Sequence, residues 1–352
     1  MKLALHALLS CAVFILSACS KEPVYQEEGF VFGTRVEVSV YGVDETIART
    51  GIATIMQEFQ RLHDLLHAWK PSKLGEINIA FTQHKSIAIT PEIESMLREI
   101  TQLSEQSNGL FNPAIGGLVK LWGFHADEFK PVLPDEKQLA TLVTAQPRMR
   151  DITISRVTEQ KVTHFEARSS NPSAQLDLGG YAKGYALDRA VELLKQQGIH
   201  NALINIGGNV IALGTHGDRS WRVGIQHPRK PGPIATLELH DGEAIGTSGD
   251  YQRYFELNGK RYCHVIDPRT GQPVQGVEAV TVLTRGNHAG VLSDATSKPP
   301  FVSGAAGWLA AAKQMKISDA LLIDTDGVVH LTAAMKKRLE FTDKSTVTTV
   351  SQ

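Results

Sequence analysis

Two titratable side chains and a tight turn come together in the segment HVIDPRTG, residues 264–271. The pattern places His264 at the end of a strand and Asp267 three residues later in a turn led by proline, so both groups lie at the rim of a sheet. A histidine and a carboxylate in such a position can exchange protons with a substrate. The residues alone leave a second interpretation open, in which the Asp267 side chain only holds the turn.

Three glycine-rich segments offer backbone that an anionic ligand could approach. The segment DLGGYAKG, residues 177–184, runs into a helix predicted from Lys183 to Gln197, so free N–H groups and a positive charge suit a phosphate or pyrophosphate. The segments IGGN, residues 206–209, and GTSGD, residues 246–250, each follow a buried strand. Neither G-x-G-x-x-G nor a Walker A motif occurs, which argues against a Rossmann or P-loop site.

Two further patterns resemble metal sites and fail on chemistry. The segment HDLLH, residues 63–67, has an aspartate where a zinc protease needs glutamate, and it lies beside an apolar helical stripe, which favours a role at a helix boundary. The segment DTDG, residues 324–327, would need a bidentate glutamate at the twelfth loop position, where Met335 stands. We therefore interpret this second segment as a hairpin turn.

The elements that position these groups can be predicted from periodicity and turn residues. Helices are predicted from about Ile52 to His67, from Pro91 to Leu103, from Pro134 to Ala145 and from Lys183 to Gln197; strands at 33–41 and 202–206; hairpins at 254–266 and 321–331. This mixture predicts an α+β or mixed α/β fold with mixed sheets and packed helices rather than a doubly wound sheet.

Composition excludes several classes of protein. The chain has 352 residues, with 36 Lys+Arg against 37 Asp+Glu and a net charge of −1, which excludes a strongly basic nucleic-acid-binding protein. Its 30 glycines and 15 prolines are spread without a period, which excludes collagen-like and disordered chains.

The first residues are typical of a secretion signal. Residues 1–18 contain Lys2 and then an apolar run too short for a membrane span, and the run ends in LSAC, which resembles the lipobox of bacterial lipoproteins. We expect Cys19 to be lipidated and the protein to face the periplasm from the inner membrane, with the outer membrane open because Ser20 follows the cysteine. An ordinary cleaved signal is the alternative.

The three cysteines then have separate fates. Cys11 leaves with the signal, Cys19 carries lipid, and Cys263 remains as one thiol that we expect to be buried in a strand and inert. The predicted organisation is a signal peptide at 1–18, a lipid-anchored tether at 19–29, a catalytic domain at 30–342 and a C-terminal tail at 343–352.

Taken in order, the motifs resemble the ApbE family of FAD:protein FMN transferases over roughly residues 30 to 342. The matching segments are FGT at 32–34 (the family has Met-Gly-Thr), Trp69 with the Ser72 to Asn78 stretch, GLFNP at 109–113 followed by LWGF at 121–124, DLGGYAKG at 177–184, TSGDY at 247–251 and HVIDPRTG at 264–271. The resemblance implies an ApbE-like, T-fold-related single catalytic domain.

The resemblance also implies a reaction and its participants. Members of this family bind FAD and Mg²⁺ and move FMN onto a Thr or Ser hydroxyl of a target flavoprotein, releasing AMP. Implied targets are subunits of redox complexes, such as sodium-pumping quinone reductase, RNF-type complexes and the flavoproteins of nitrous-oxide-reductase maturation. Membrane contact is expected only through the lipid anchor, and no nucleic acid is involved.

The family's functional residues match positions of this chain. His264 corresponds to the proton acceptor, and Asp267 to a catalytic group that shapes the site. Asp177 and Lys183 match residues that contact the adenosine–pyrophosphate part of FAD. The remaining positions implied to bind FAD are Phe32, Trp69, Leu110, Phe111, Asn112, Thr247, Ser248 and Ile266, the first five of them lining the flavin.

The sequence departs from the family at the metal. The family motif A-D-A-x-x-T supplies an Asp carboxylate, a backbone carbonyl and a Thr hydroxyl to Mg²⁺, with a further carbonyl at the position of Gly180. Here Asp294 and Ser297 match, but Lys298 stands at the threonine position, and an ammonium has no lone pair for a cation.

Three interpretations of Lys298 follow. It points away while Thr296 or water completes the metal shell; it neutralises the diphosphate itself; or the protein binds FAD without transferring FMN. We expect FAD binding to survive and Mg²⁺ dependence to be weakened. The alternative function is a non-transferring lipoprotein that binds FAD or hydrolyses it to FMN and AMP.

Overall fold

The computed structural model describes residues 23–159 and 162–351. The predicted signal peptide and Cys19 lie outside the described residues. The helices are α1 (Glu45–Leu66), α2 (Lys73–Thr82), α3 (Pro91–Gln106), α4 (Gly116–Leu121), α5 (Glu136–Ala145), α6 (Ala182–Gln196), α7 (Ala289–Thr296), α8 (Lys298–Gln314) and α9 (Ala333–Lys336). Within the described residues, no helix is both long and apolar enough to cross a membrane.

The strands form one large sheet and three small ones. They are β1 (Val24–Val31), β2 (Thr34–Tyr41), β3 (Ile87–Ile89), β4 (Ile152–Glu159), β5 (Val162–Ser169), β6 (Ala202–Ile206), β7 (Asn209–Leu213), β8 (Trp221–Gln226), β9 (Pro233–Leu239), β10 (Glu243–Gly249), β11 (Tyr254–Leu257), β12 (Lys260–Cys263), β13 (Val277–Arg285), β14 (Asp319–Asp324), β15 (Val329–Thr332), β16 (Glu340–Phe341) and β17 (Thr348–Ser351). The predicted mixture of helices and antiparallel strands is confirmed.

The large sheet has the order β1-β2-β6-β7-β10-β13-β14-β15-β17. Its pairs are antiparallel except β15 with β17. Side chains alternate between its faces: on β14, Leu322 packs with the helices, whereas Leu321 and Ile323 pack with β8 and β9. Helices α1, α3, α6, α7 and α8 therefore cover one face, and the small sheet β16-β9-β8 covers the other.

A third apolar cluster lies beneath the segment that carries His264. Trp122 and Phe124, which follow α4, pack with Phe255 of β11 and with Ile266. The indole N–H of Trp122 donates to the Gly271 carbonyl oxygen at 2.7 Å. The loop after β12 is thus attached to the helical part of the fold.

The structure differs from the sequence prediction at both ends of the domain. Residues 24–29, assigned to a tether, belong to β1, which pairs along its length with β2. Residues 348–351, assigned to a tail, form β17 beside β15. Both strands lie at sheet edges, where few side chains are buried, so the pairing depends on backbone hydrogen bonds that leave little apolar pattern in the sequence.

The predicted turns are confirmed. Asn258 and Gly259 both have positive φ, as a two-residue type I′ hairpin requires, and Gly198 ends α6 with φ 75°. The strand predicted to reach Ile266 ends earlier, at Cys263, because Val265 and Ile266 bond to the returning segment at Val274 and Pro273.

Candidate functional site

A buried carboxylate, Asp294, lies at the crossing of α6 and α7. The two helices approach closely because both carry glycine there: a Cβ on Gly184 would lie 2.3 Å from the Gly290 carbonyl oxygen. This approach lets the Gly184 N–H donate to Asp294 Oδ2 at 3.1 Å. The first N–H groups of α7, at Gly290 and Val291, are bonded by the Asp188 carboxylate at 2.8 Å each. Asp294 is therefore placed by two helices rather than by a loop.

Two lysines converge on this carboxylate. Lys298 Nζ donates to Asp294 Oδ1 and, at 2.5 Å, to the Asp294 backbone oxygen. Lys183 Nζ lies 3.7 Å from Asp294 Oδ2 and donates to the Gly179 carbonyl oxygen at 2.9 Å. Asp294 is 1% exposed, and the two lysine side chains are 24% (Lys183) and 18% (Lys298) exposed, so the lysines cover the carboxylate from solvent. We call these three residues the Asp294 cluster.

The pKa values in the Asp294 cluster follow from burial and charge. Burial by itself would raise the pKa of Asp294, but Lys183, Lys298 and the Gly184 N–H outweigh it and lower that pKa to about 2. Burial lowers the pKa of Lys298, and the negative charge of Asp294 opposes this shift. Asp294 is accordingly ionised at neutral pH.

The residues implied for Mg²⁺ do not fit a divalent cation. Both Asp294 oxygens and its carbonyl already accept from N–H donors, and the Lys298 ammonium lies where a ligand is required. Thr296 does not substitute, because it is buried and its hydroxyl donates to the Leu292 carbonyl. The implied ligand at Ser297 is its backbone carbonyl, which accepts from the Phe301 N–H at 3.4 Å. Among the described residues, no group of three His, Cys, Asp or Glu side chains could hold a metal.

The glycine-rich segment 177–184 lies against the Asp294 cluster. Asp177 Oδ1 accepts from the Gly179 N–H at 2.8 Å, which forms a tight turn before α6. A Cβ on Gly180 would lie 3.1 Å from Lys298 Cε and 3.5 Å from a ring carbon of Phe111. Gly180, Lys298 and Phe111 are thus neighbours, as the shared site assignment predicts.

His264 is held as a neutral imidazole with one nitrogen available. Its Nδ1 lies 3.2 Å from the Arg253 carbonyl oxygen, which only accepts, so Nδ1 carries the hydrogen and Nε2 the lone pair. Nε2 has no hydrogen-bond partner within the described part of the chain. Burial, then the charges of Arg253 and Lys183, lower the pKa of His264 well below 6.5. The group can therefore accept a proton at neutral pH.

Asp267 holds the turn that follows His264. Its carboxylate accepts from the Arg269 backbone N–H at 2.9 Å and from the Arg269 guanidinium at 2.7 to 3.2 Å. Its carbonyl accepts from the Gly271 N–H at 2.8 Å. Both carboxylate oxygens are thus occupied by Arg269, which is the turn-holding role that the sequence left open. Asp267 shapes the loop that carries His264.

Several aromatic side chains of the predicted site pack against histidine rings. Trp69 meets His125 edge to face, with ring centroids 5.6 Å apart, and Phe124 meets His264 in the same way at 6.5 Å. Phe32 lies at the turn between β1 and β2 with φ 57°, an unfavourable conformation for a bulky residue, and its ring lies 5.8 Å from that of His63. His63 and His67 therefore belong to a helix end beside these rings, as predicted.

The other predicted FAD-binding residues are mostly engaged within the protein. The Asn112 amide donates to the Pro147 carbonyl at 2.9 Å and accepts from the Ala114 N–H. Thr247 Oγ1 lies 2.8 Å from Thr281 Oγ1. Phe111, Ser248 and Ile266 are buried, and Leu110 is half-buried against the core. These side chains pack or bond within the protein and do not present free polar groups to a ligand.

Two residues that the sequence interpretation missed belong to the same region. Arg253 donates to the Phe124 carbonyl at 2.7 Å and lies over the Phe129 ring, while its own carbonyl fixes His264. His125 has a buried Nδ1 with no partner in the part of the chain that the structure describes. Arg253 lies two residues beyond the TSGDY motif, and His125 directly follows LWGF, so adjacency to a motif was the available signal.

Together these groups can bind an anion and remove a proton beside it. Lys183, Lys298 and Arg253 all act on the pKa of His264, so the positive charges lie near the imidazole. The Asp294 cluster carries two ammonium groups against one carboxylate, which leaves an excess of positive charge. A phosphate ester or anhydride is the substrate class that such a site suits.

Comparisons with known proteins identify the family. Residues 32–322 match the ApbE family. A FAD:protein FMN transferase of Rhodobacter capsulatus is 41% identical over 338 residues, covering 96% of this chain, and this chain spans 62% of that relative's length. One of Klebsiella pneumoniae is 31% identical over 325 residues, covering 91% of this chain and 95% of the relative.

The fold agrees as well. The crystal structure of an ApbE protein from Thermotoga maritima superimposes with a TM-score of 0.79 at 27% identity, covering 90% of this chain and 99% of that one. The resemblance seen in the motifs therefore extends over the whole arrangement of strands and helices. From the matched residues and from the coverage of its relatives, this chain belongs to the ApbE family.

Proposed function

We propose that this protein is an FAD:protein FMN transferase, which moves FMN from FAD to a Thr or Ser hydroxyl of a target flavoprotein and releases AMP. The observation that carries the proposal is the neutral His264, whose Nε2 is available beside an excess of lysine charge. Relatives of this chain from Rhodobacter capsulatus and Klebsiella pneumoniae carry that activity in their names.

The reaction is a phosphoryl-group substitution. The target hydroxyl oxygen bonds to the FMN-side phosphorus, the bond from that phosphorus to the bridging oxygen breaks, and AMP leaves with the electron pair. His264 Nε2 takes the hydroxyl proton, while the Arg253 carbonyl keeps Nδ1 protonated and the ring oriented. The lysines stabilise charge on the diphosphate.

FAD is proposed to lie between the lysines and the aromatic residues. Asp177 and Lys183 take the adenosine–pyrophosphate part, close to the start of α6, where helix N–H groups favour an anion. Phe32 and Trp69 take the flavin ring, which stacks on aromatic surfaces. Behind these two aromatic residues, on the side of the protein core, we place Leu110, Phe111 and Asn112.

Magnesium has no step in this proposal. The family's metal would require oxygen ligands at Asp294, Ser297, Gly180 and position 298, and the ammonium of Lys298 cannot serve as one. We accordingly expect a weaker dependence on Mg²⁺ than in members with threonine at that position.

The location and the targets are proposals from the sequence. A lipidated Cys19 would hold the domain on the periplasmic side of the inner membrane, or of the outer membrane because of Ser20. That location fits target subunits of membrane-bound redox complexes such as sodium-pumping quinone reductase or RNF-type complexes.

Co-expression with an acceptor subunit tests the function. Wild-type protein should add the mass of FMN less one water to the acceptor Thr or Ser, and His264→Ala should lower the transfer rate by about 100-fold or more while FAD remains bound. The matched control is His164→Ala on β5, whose Nε2 lies 3.3 Å from Glu166 Oε1 and whose loss should leave transfer unchanged. Release of FMN and AMP without any adduct would instead support FAD hydrolysis.

A further inference from the structure

Lys298 occupies the place that a cation would take on Asp294. Its Nζ bonds both the Oδ1 carboxylate oxygen and the backbone oxygen of that residue, so the ammonium is chelated by two oxygens of one residue. The same side chain passes beside Gly180, where only a hydrogen separates the backbone from Lys298 Cε. The ammonium thus lies between the acidic ligand and the glycine turn.

The backbone on both sides of Lys298 is held by the surrounding structure. Pro299 and Pro300 follow it in the first turn of α8, where their restricted φ angles favour the helix, and both are buried. Ser297, immediately before it, bonds the hydroxyl of Ser248 on β10 at 2.8 Å. The backbone position from which the ammonium reaches Asp294 is therefore set by the junction of α7 and α8.

The charges around Asp294 exclude a second cation. One carboxylate faces two ammonium groups, Lys298 on Oδ1 and Lys183 near Oδ2, and the Gly184 N–H takes a further place on Oδ2. A divalent ion at this point would lie against two positive charges with no unshared carboxylate to offset them. The same excess attracts the diphosphate of FAD.

We propose that Lys298 acts as a tethered monovalent cation in place of Mg²⁺, so that this protein transfers FMN without a divalent metal. The proposal rests on the function proposed above and names the group that stabilises the diphosphate. The ammonium donates to a diphosphate oxygen and remains unchanged through the step. The hydroxyl oxygen still bonds to phosphorus, AMP still leaves with the bridging oxygen, and His264 still takes the proton.

The test compares wild type with Lys298→Thr and Lys298→Met, after treatment with EDTA, with and without added Mg²⁺. The acceptors are three purified flavoprotein subunits, one from a sodium-pumping quinone reductase, one from an RNF-type complex and one from nitrous-oxide-reductase maturation. The readouts are the FMN adduct by intact mass and Mg²⁺ binding by calorimetry without FAD. Lys195→Thr, a change on the exposed side of α6, is the matched control, and melting curves establish folding.

The expected results separate metal replacement from metal dependence. Wild type and Lys195→Thr should transfer FMN equally in EDTA and in Mg²⁺ and bind no Mg²⁺. Lys298→Thr should lose about 100-fold of its rate in EDTA, regain it with Mg²⁺ and bind the ion, whereas Lys298→Met should lose a similar factor in both conditions. Transfer by wild type only with Mg²⁺, or Mg²⁺ binding by wild type, would overturn this inference and leave the proposed function standing. No adduct on any acceptor in either condition would overturn the proposed function.

Discussion

Two buried ion clusters of this protein differ in their balance of charge. The Asp294 cluster sets one carboxylate against two ammonium groups. The second cluster, here the Asp250 cluster, sets the buried Asp250 and Glu278 and the exposed Glu256 against Arg229 and Arg261, so no positive charge is left over. Arg229 bonds both Asp250 oxygens, at 2.7 and 2.6 Å, and its Nε lies 3.0 Å from Glu278.

From this difference we infer that the Asp250 cluster is structural and that the Asp294 cluster binds an anion. In the Asp250 cluster each charge meets an opposite charge, and paired hydrogen bonds satisfy the planar guanidinium of Arg229. The Asp294 cluster keeps one unmatched positive charge near His264. This charge destabilises the folded protein until an anion binds beside it. The two clusters should therefore respond differently to mutation and to FAD.

The largest expected effect comes from neutralising either carboxylate. Asp294→Asn should lower the free energy of unfolding by about 3 kcal/mol, because it leaves two lysines without their buried partner, and Asp250→Asn by about 2 kcal/mol, because Arg229 keeps Glu278 and Arg261 keeps Glu256. FAD should then restore more stability to Asp294→Asn than it adds to wild type, since its diphosphate replaces the lost charge. Urea unfolding with and without FAD measures both effects, and an equal FAD increment in the two variants would remove the distinction between the clusters.

Removing the central cation of the Asp250 cluster should affect stability alone. Arg229→Met should lower the free energy of unfolding by about 2 kcal/mol, because Asp250 and Glu278 lose their main partner and the site is partly exposed. The dissociation constant for FAD should not change. Arg222→Met, which breaks an exposed pair with Glu340, is the control and should cost at most about 0.5 kcal/mol. Weaker FAD binding in Arg229→Met would place the Asp250 cluster in the binding site.

The pH dependence of stability should depend on His264. Its pKa in the folded protein lies below the value of 6.5, so the unfolded chain binds more protons in acid. The contribution is therefore fully present above pH 6.5 and is lost as the pH falls below it. Replacing His264 with Gln should flatten this part of the profile, whereas His164→Gln should not. A profile unchanged by His264→Gln would mean that the imidazole is freely protonated in the folded state.

The smallest effect concerns Cys263, which borders the Asp250 cluster. Burial raises the pKa of this thiol to about 12, so iodoacetamide should not label it in the native protein. Cys263→Ala should cost only about 1 kcal/mol. Labelling should accelerate in Arg229→Met, which loosens the neighbouring ion pairs, and not in Lys195→Thr. Rapid labelling of Cys263 in the wild-type protein would show that solvent reaches the thiol beside the Asp250 cluster.

Local signals predicted much of this fold, and the candidate site residues came from the motifs and their family resemblance. Asn258-Gly259, Thr90-Pro91 and Gly198 mark their turns and helix ends because each has a distinct local conformation. The edge strands β1 and β17 were missed because their pairing leaves little apolar pattern.

The contacts that the site residues make could be identified only from the structure. Three contacts depend on the direction in which a side chain points. Lys298 bonds Asp294, the Arg253 carbonyl orients the His264 ring, and Arg269 bonds the Asp267 carboxylate. A sequence fixes residue types at a position, whereas direction depends on how α6, α7 and the loop after β12 meet.

We propose above that the excess charge of the Asp294 cluster holds the FAD diphosphate without a divalent metal. Calorimetric titration of FAD into EDTA-treated wild type and Lys298→Met tests it most directly, with riboflavin, which lacks phosphate, as the control ligand. Lys298→Met should weaken FAD binding by about 10- to 100-fold and leave riboflavin binding unchanged. Equal FAD affinities for the two proteins would contradict it.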